Sequence, residues 1–279
     1  MNLTDVHTVK ALCREFGFGT KKKFGQNFIT DEKVPDIISD TAKGMCALEI
    51  GPGLGTLTEA LCRKCEKVVS VEIDTSLEKL LGLTVGNFTN LRVVFSDIMK
   101  TDIAALCKEE FTDRKVCVCA NLPYYVTSPV LLRLMDCGFP FESITVMVQK
   151  EVADRLCAKP GTPEYGAITL TCQRYGRPVK LTDVPRTSFY PVPGVDSAVV
   201  SIVSSGKENI FCKDEELLTK VIRASFNQRR KTLVNALYSG IGRKTKEEYA
   251  KLLVSCGFSA DVRGEKLSLS DFAKIVNNM

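Results

Sequence analysis

From residue 45 the chain alternates between short apolar runs and amphipathic stretches. MCALEI (45–50), KVVSVEI (67–73), LRVVFSD (91–97), KVCVCAN (115–121) and SITVMVQ (143–149) have the length and β-branched character of strands. TLTEALCRK (56–64), SLEKLLGLT (76–84), SPVLLRLMDCG (128–138) and KEVADRLCA (150–158) carry apolar residues at helical spacing instead. That alternation predicts an α/β fold with a doubly wound sheet, parallel in its first half. VKLTDV (179–184) and DSAVVSIVS (196–204) add two strands around the proline-rich FYPVPGV (189–195).

The two flanks read differently. Val6, Val9, Leu12, Cys13 and Phe16 share one helix face, which ends near Gly17. The basic stretch KKKFGQNF (21–28) follows, and residues 31–43 predict a helix with Asp31 as N-cap and Pro35 in its first turn. Glycine and charge in SSGKEN (204–209) mark a boundary that divides the chain into residues 1–207 and 208–279. Beyond it lie only helical patterns: DEELLTKVIRASFNQRRKTLVNALYSG (214–240), KTKEEYAKLLVSCG (244–257) and SLSDFAKIVNN (268–278).

Composition removes several classes of function. The 279 residues are 44% hydrophobic and 25% charged, ordinary for a globular protein. No apolar run approaches the roughly 18–20 residues of a bilayer span, so no membrane association is expected. The N-terminal stretch lacks a continuous apolar segment, so a secretory signal is not expected either. The twelve cysteines are scattered, and Cys62 and Cys65 form a lone C-x-x-C. With His7 as the only histidine, no metal site is expected. Ser-His-Asp and Cys-His chemistry would have to run through that one residue. A cytoplasmic protein using its cysteines as small apolar residues fits best.

In an open α/β sheet, ligands sit beyond the carboxyl ends of the strands. The first such end runs into EIGPGLGTLTEAL, where Gly51, Gly53 and Gly55 allow a sharp turn and close approach to a ligand. The second ends in Glu72, where a carboxylate can accept both hydroxyls of a ribose. The third ends in Asp97, an acceptor for an adenine amine. Neither a G-x-x-x-x-G-K loop nor a G-x-G-x-x-G follows a strand, so a triphosphate or a pyrophosphate is poorly served. An adenosine ligand without a pyrophosphate fits better, which points to S-adenosylmethionine.

The fourth end, CVCANLPYYVTSP (117–129), stops a buried run with an amide, a rigid turn and two aromatic rings. These groups suit an exocyclic adenine amine as methyl acceptor. That nitrogen is a poor nucleophile with two N–H donors; the Asn121 side-chain oxygen and the Leu122 carbonyl can accept one each. Pro123 stiffens the turn. Tyr124 offers a face on which a flipped base can stack, worth roughly 1–3 kcal/mol.

KKKFGQNFI, LEIGPGLGTLT, VEID, SDIMK, NLPYYVTSP, VMVQKEVADRL, SFYPVPGVDSAV and FNQRRKTLVNAL together resemble the ribosomal RNA adenine N6-dimethyltransferases, most closely the bacterial small-subunit (16S rRNA) branch. The resemblance spans nearly the whole chain. It implies a Rossmann-like, seven-stranded methyltransferase sheet with an antiparallel last strand and a small all-α C-terminal domain. It implies S-adenosylmethionine contacts at Gln26, Asn27, Ile29, Gly51, Glu72, Asp97 and Asn121, with Gly53, Ile73 and Ile98 beside them. Its Asn-Leu-Pro-Tyr motif falls on residues 121–124 and its second stacking aromatic on Phe189, in a loop restricted by Pro191 and Pro193. Tyr125 and Val126 stand where many members have Asn and Ile. The implied substrate is a pair of adjacent adenosines near the 3′ end of 16S rRNA, in a small-subunit precursor, with the enzyme expected as a monomer. Resistance-type 23S rRNA methyltransferases and non-catalytic assembly factors share the core, but NLPYYVTSP looks more like the small-subunit enzymes.

Charge supplies the last expectation. Residues 221–251 hold eight basic residues against Glu247 and Glu248, a cluster read as a phosphate-binding footprint. Arg223, Arg229, Arg230 and Lys231 lead it, and Lys21, Lys22 and Lys23 form a second basic patch near the cofactor loop.

Overall fold

The computed structural model describes residues 1–17, 27–204 and 210–279, in two units: residues 1–153 with 178–204, and residues 154–177 with 205–279. The first unit opens with α1 (Val6–Glu15), capped by Asp5, whose carboxylate accepts from the Thr8 amide at 2.8 Å. Gly17 follows at φ +72°, in keeping with a helix exit there. Next come β1 (Phe28–Ile29), α2 (Lys33–Asp40), β2 (Cys46–Ile50), α3 (Thr56–Lys64), β3 (Lys67–Glu72), α4 (Glu78–Thr84) and β4 (Leu91–Phe95). The unit continues with α5 (Ile103–Phe111), β5 (Val116–Asn121), α6 (Thr127–Asp136), β6 (Ser143–Gln149) and the start of α7 (Lys150–Leu156).

The second unit holds α8 (Ala167–Tyr175), α9 (Glu215–Asn227), α10 (Leu233–Gly240), α11 (Lys246–Ser255) and α12 (Leu269–Asn277). Between its two segments the chain returns to the sheet as β7 (Gly176–Val184), β8 (Phe189–Tyr190) and β9 (Ser197–Ser204).

Seven strands form the sheet in the order β4-β3-β2-β5-β6-β9-β7. The first five pair in parallel, and β9 runs antiparallel to β6 from Ser143↔Val203 to Gln149↔Ser197. β2 is buried at all five positions, which is why CALEI reads as a continuous apolar run broken only by Glu49. The edge strand β4 is more exposed and carries Arg92, which pairs with the buried Glu110 of α5. Lys67 of β3 reaches the same carboxylate at 2.9 Å. Among the described residues, no helix is long and apolar enough to cross a membrane.

The structure departs from the sequence reading in four places. The helix expected over 31–43 covers Lys33–Asp40, and Asp31 does not cap it as N-cap. Its carboxylate accepts from the Lys33 amide at 3.1 Å and from the Ser188 hydroxyl at 3.0 Å, tying the strand-8 region to this turn. Helices α5 and α8 and the two-residue pair β1–β8 were not expected. The pattern over 214–240 splits into α9 and α10 at a turn closed by the Lys231 amide on the Gln228 carbonyl, 2.8 Å. Finally, a single cut at 207/208, itself outside the described residues, does not separate the units. Residues 154–177 belong with the C-terminal helices, because Tyr165 and Leu170 are fully buried in a core shared with Leu218, Leu237, Tyr249 and Phe272.

Nine of the twelve cysteines are buried. Burial pushes the thiols of Cys62, Cys65, Cys107 and Cys172 up to about 12, so they pack as neutral, small apolar side chains.

Candidate active site

Strand order reverses at β2: β3 lies on one side and β5 on the other. At such a point the loops leaving the carboxyl ends diverge and open a crevice. A cleft sits there, lined by the segments that follow β2, β3, β4 and β5 and closed on one side by Asn27, Phe28 and Ile29.

The loop after β2 forms the floor. Gly51, Gly53 and Gly55 have φ of +71°, +58° and +91°, a region L-residues rarely adopt. A Cβ at Gly51 would project into open space, whereas one at Gly55 would come within 2.8 Å of the Val85 side chain. Gly51 thus keeps the floor bare, and Gly55 lets α3 pack against the end of α4.

Two carboxylates follow. Glu72 is 4% exposed; its Oε1 accepts from the Asp74 amide at 2.8 Å and its Oε2 from the Gly53 amide at 3.4 Å. Burial pushes its pKa up, partly opposed by those amides. Asp97 accepts from the Met99 amide at 2.9 Å. Its loop is held from below by Arg133 of α6, which donates to the Ile98 carbonyl at 3.1 Å and the Thr101 carbonyl at 2.6 Å. Ile73 and Met99 line the same part of the cleft and are exposed, as the apolar walls of a planar ring would be.

This set of groups fits S-adenosylmethionine. A carboxylate has about four acceptor positions, and those of Glu72 are only partly used, which leaves capacity for a diol. Asp97 suits an amine, the aliphatic side chains suit an adenine, and bare Gly51 admits close backbone approach. Two carboxylates would repel a pyrophosphate in the same place.

The turn after β5 supplies the reactive end. The Asn121 amide donates from Nδ2 to the Asn27 carbonyl at 3.2 Å. The Val126 amide and the Thr127 hydroxyl both donate to the Pro123 carbonyl, at 3.1 and 3.3 Å, and close the turn that carries Tyr124 and Tyr125. The Tyr124 hydroxyl sits 2.9 Å from Ser197 Oγ at the start of β9. Burial raises its pKa, so the phenol stays neutral and the ring stays anchored.

Asn27, Ile29, Gly51, Gly53, Glu72, Ile73, Asp97, Ile98, Asn121, Leu122, Pro123 and Tyr124 all line this one cleft. Gln26, Lys21, Lys22 and Lys23 lie outside the described residues. Phe189 requires a correction. It is 2% exposed, does not line the cleft, and packs in a core with Ile29, Val34, Met147 and Val199. Its backbone is paired with Ile29, which turns the ring inward. A ring so buried offers no face for stacking.

In the second unit, Arg223, Arg229, Arg230 and Lys231 are all exposed. Arg229 differs from the other three in being tied to its own unit. Its guanidinium donates to the Pro163 carbonyl at 2.8 Å and the Tyr165 carbonyl at 3.0 Å, and it lies 3.8 Å from Glu265. Those bonds make it a structural clamp on the 163–165 segment. Sequence reasoning also missed Asn27 as the partner of Asn121, Ser197 as the anchor of Tyr124, and Arg133. None of these three has a local signal in the sequence, because each acts on a partner distant along the chain.

The model of the family described as ribosomal RNA adenine dimethylase matches residues 17–279. A Geobacillus thermodenitrificans protein described as ribosomal RNA small subunit methyltransferase A is 43% identical over 277 residues, 96% of this chain and 94% of its own. A Streptococcus pneumoniae protein of the same description is 42% identical, covering 99% of this chain and 98% of its own. Among solved structures, a dimethyladenosine transferase from Plasmodium falciparum superposes with a TM-score of 0.73 at 24% identity, covering 88% of this chain and 95% of that one. The 23S rRNA methyltransferase ErmE superposes with a TM-score of 0.70 at 22% identity, covering 90% and 99%. These two share the fold. The chain belongs to the ribosomal RNA adenine dimethylase family of S-adenosylmethionine-dependent methyltransferases.

Proposed function

We propose that this enzyme methylates the N6 amines of two adjacent adenosines near the 3′ end of 16S rRNA, in precursors of the small ribosomal subunit, acting as a cytoplasmic monomer. The observation that carries this reading is the engaged Asn121 amide. With Nδ2 committed to the Asn27 carbonyl, Oδ1 is left as the acceptor for an incoming amine. The Leu122 carbonyl takes the second N–H. Two acceptors on one amine orient its lone pair and favour a pyramidal, more nucleophilic nitrogen. When bound, S-adenosylmethionine supplies the electrophilic methyl group. No side chain needs to act as a base before attack, because the methylated ammonium is itself strongly acidic. Positioning and electrostatics then account for most of the rate.

The choice of small-subunit RNA is supported by the full-length relatives described as ribosomal RNA small subunit methyltransferase A. Charge supports an RNA-binding role for the second unit. It holds 18 basic against 11 acidic residues, where the first unit holds 20 against 22. Of the exposed residues Arg223, Arg229, Arg230 and Lys231, the leading candidates for phosphate contacts are Arg223, Arg230 and Lys231, with Lys21, Lys22 and Lys23 proposed from sequence alone.

Single-turnover transfer of labelled methyl groups tests the substrate. Under-methylated small subunits should be modified and naked large-subunit RNA should not. Preferential modification of the large-subunit RNA would assign the chain to the resistance type. Binding of small subunits with no transfer at all would leave only an assembly role.

A further inference from the structure

The turn that follows Asn121 carries two tyrosines, and only one has a place in the chemistry above. Tyr124 is half-buried with its hydroxyl anchored at Ser197. Tyr125 is 62% exposed and lines the same cleft. Among the described phenylalanines and tyrosines of the first unit it is the one that is exposed. The backbone that carries it is held, because the Pro123 carbonyl accepts from both the Val126 amide and the Thr127 hydroxyl on the far side of it.

Scattered exposed apolar residues are ordinary and call for no explanation. An exposed aromatic ring carried on the hydrogen-bonded turn that lines a base-methylating cleft is another matter. To reach Asn121, an adenosine has to leave its stack, which costs a few kcal/mol. Its departure strips a stacking partner from the adjacent nucleotide as well. An aromatic face at the mouth of the cleft restores that partner, and does so for any base, since every base has a π-face. We propose that Tyr125 is a second base subsite, a stacking platform for the nucleobase next to the adenosine being methylated. This inference rests on the reading of the Asn121 turn as an adenine-methylating site. The ligand is an unpaired nucleobase of the substrate RNA, and the group that binds it is the ring, not the phenol.

The test compares wild type with Tyr125→Ala, Tyr125→Leu and Tyr125→Phe in single-turnover methylation of under-methylated small subunits. Calorimetry of S-adenosylmethionine binding and thermal melting are run on the same preparations. A lost base stack lowers kcat/KM by roughly tenfold or more in the Ala variant. The Leu variant should remain low, and the Phe variant should return to within about twofold of wild type. Cofactor affinity and melting temperature should be the same in all four proteins, as the residue is exposed and on the acceptor side. An Ala variant as fast as wild type overturns the subsite. So does a Leu variant as fast as Phe, which would reduce the effect to bulk. If the wild type itself transfers nothing to adenine, the reading of the Asn121 turn fails, and the subsite fails with it.

Discussion

Asn121 Nδ2 donates to the backbone carbonyl of Asn27 across 3.2 Å, joining the end of β5 to the residue before β1. That bond selects which end of the amide faces the substrate. An aspartate is nearly the same size but cannot donate to a carbonyl, and its charge would be repelled by that oxygen. Asn121→Asp should therefore lower the single-turnover methylation rate by about 100-fold or more, the scale seen when one positioned hydrogen-bonding group is removed from an active site. Cofactor affinity should change by only a few-fold. An Asp variant within about tenfold of wild type would mean that the amide's orientation is not what matters.

Glu49 lies fully buried under the glycine loop, with Oε2 accepting from Thr58 at 2.8 Å and from Ser70 at 2.5 Å and Oε1 without a partner. Burial, opposed by those two hydroxyls and reinforced by Glu72, lifts its pKa from 4.5 to about 7. Between those values the folded chain holds a proton that the unfolded chain has lost. This contribution to stability is full below the window and disappears as pH rises through it. Glu49→Gln cannot ionise and keeps an acceptor for both hydroxyls. Its melting temperature relative to wild type should climb by several degrees between about pH 5 and pH 8. A difference that stays flat across that range would contradict the buried, neutral carboxyl.

Phe189 fills a core between β1 and the sheet. Phe189→Leu should cost about 1 kcal/mol or more of stability, as loss of buried ring volume does. Chemical denaturation measures that directly, and the rate per folded molecule is measured beside it. A variant that melts like wild type but turns over poorly would return the ring to the acceptor site.

Arg229 and Arg230 are neighbours with opposite assignments. Arg229→Ala removes the donors to the Pro163 and Tyr165 carbonyls and should lower the melting temperature of the second unit. Arg230→Ala should leave stability alone, weaken RNA binding, and reduce the slope of log affinity against log salt by about one. Melting curves and binding at several salt concentrations separate the two. The same salt effect from both residues would mean that Arg229 contacts RNA as well.

Much of this molecule was legible in the chain because its chemistry sits at strand ends. A short apolar run such as KVCVCAN announces a strand, and the polar residue that stops it is the one facing the crevice. Glu72, Asp97 and Asn121 could all be named that way. What stayed hidden depends on partners brought from far along the chain. KEE at 108–110 looks too polar to close a helix against a core, until Lys67 and Arg92 arrive to neutralise Glu110. The prolines after Phe189 suggest a presented ring, but pairing with Ile29 decides that the ring goes inward. Nothing near Arg229 in sequence indicates that two carbonyls of a distant turn await it. Likewise, the division into units follows from Tyr165 and Leu170 joining a core otherwise built by the C-terminal helices.

The central claim is that the turn at Asn121 places two methyl groups on the N6 atom of adenosine in small-subunit RNA. The most direct measurement reacts under-methylated small subunits with S-adenosylmethionine and enzyme, digests the RNA to nucleosides, and quantifies the modified bases by mass spectrometry. Wild type should yield N6,N6-dimethyladenosine. Asn121→Ala should yield almost none, while still binding the cofactor and the subunits. Methyl groups on another atom or base, or dimethyladenosine formed by the Ala variant at close to the wild-type rate, would contradict it.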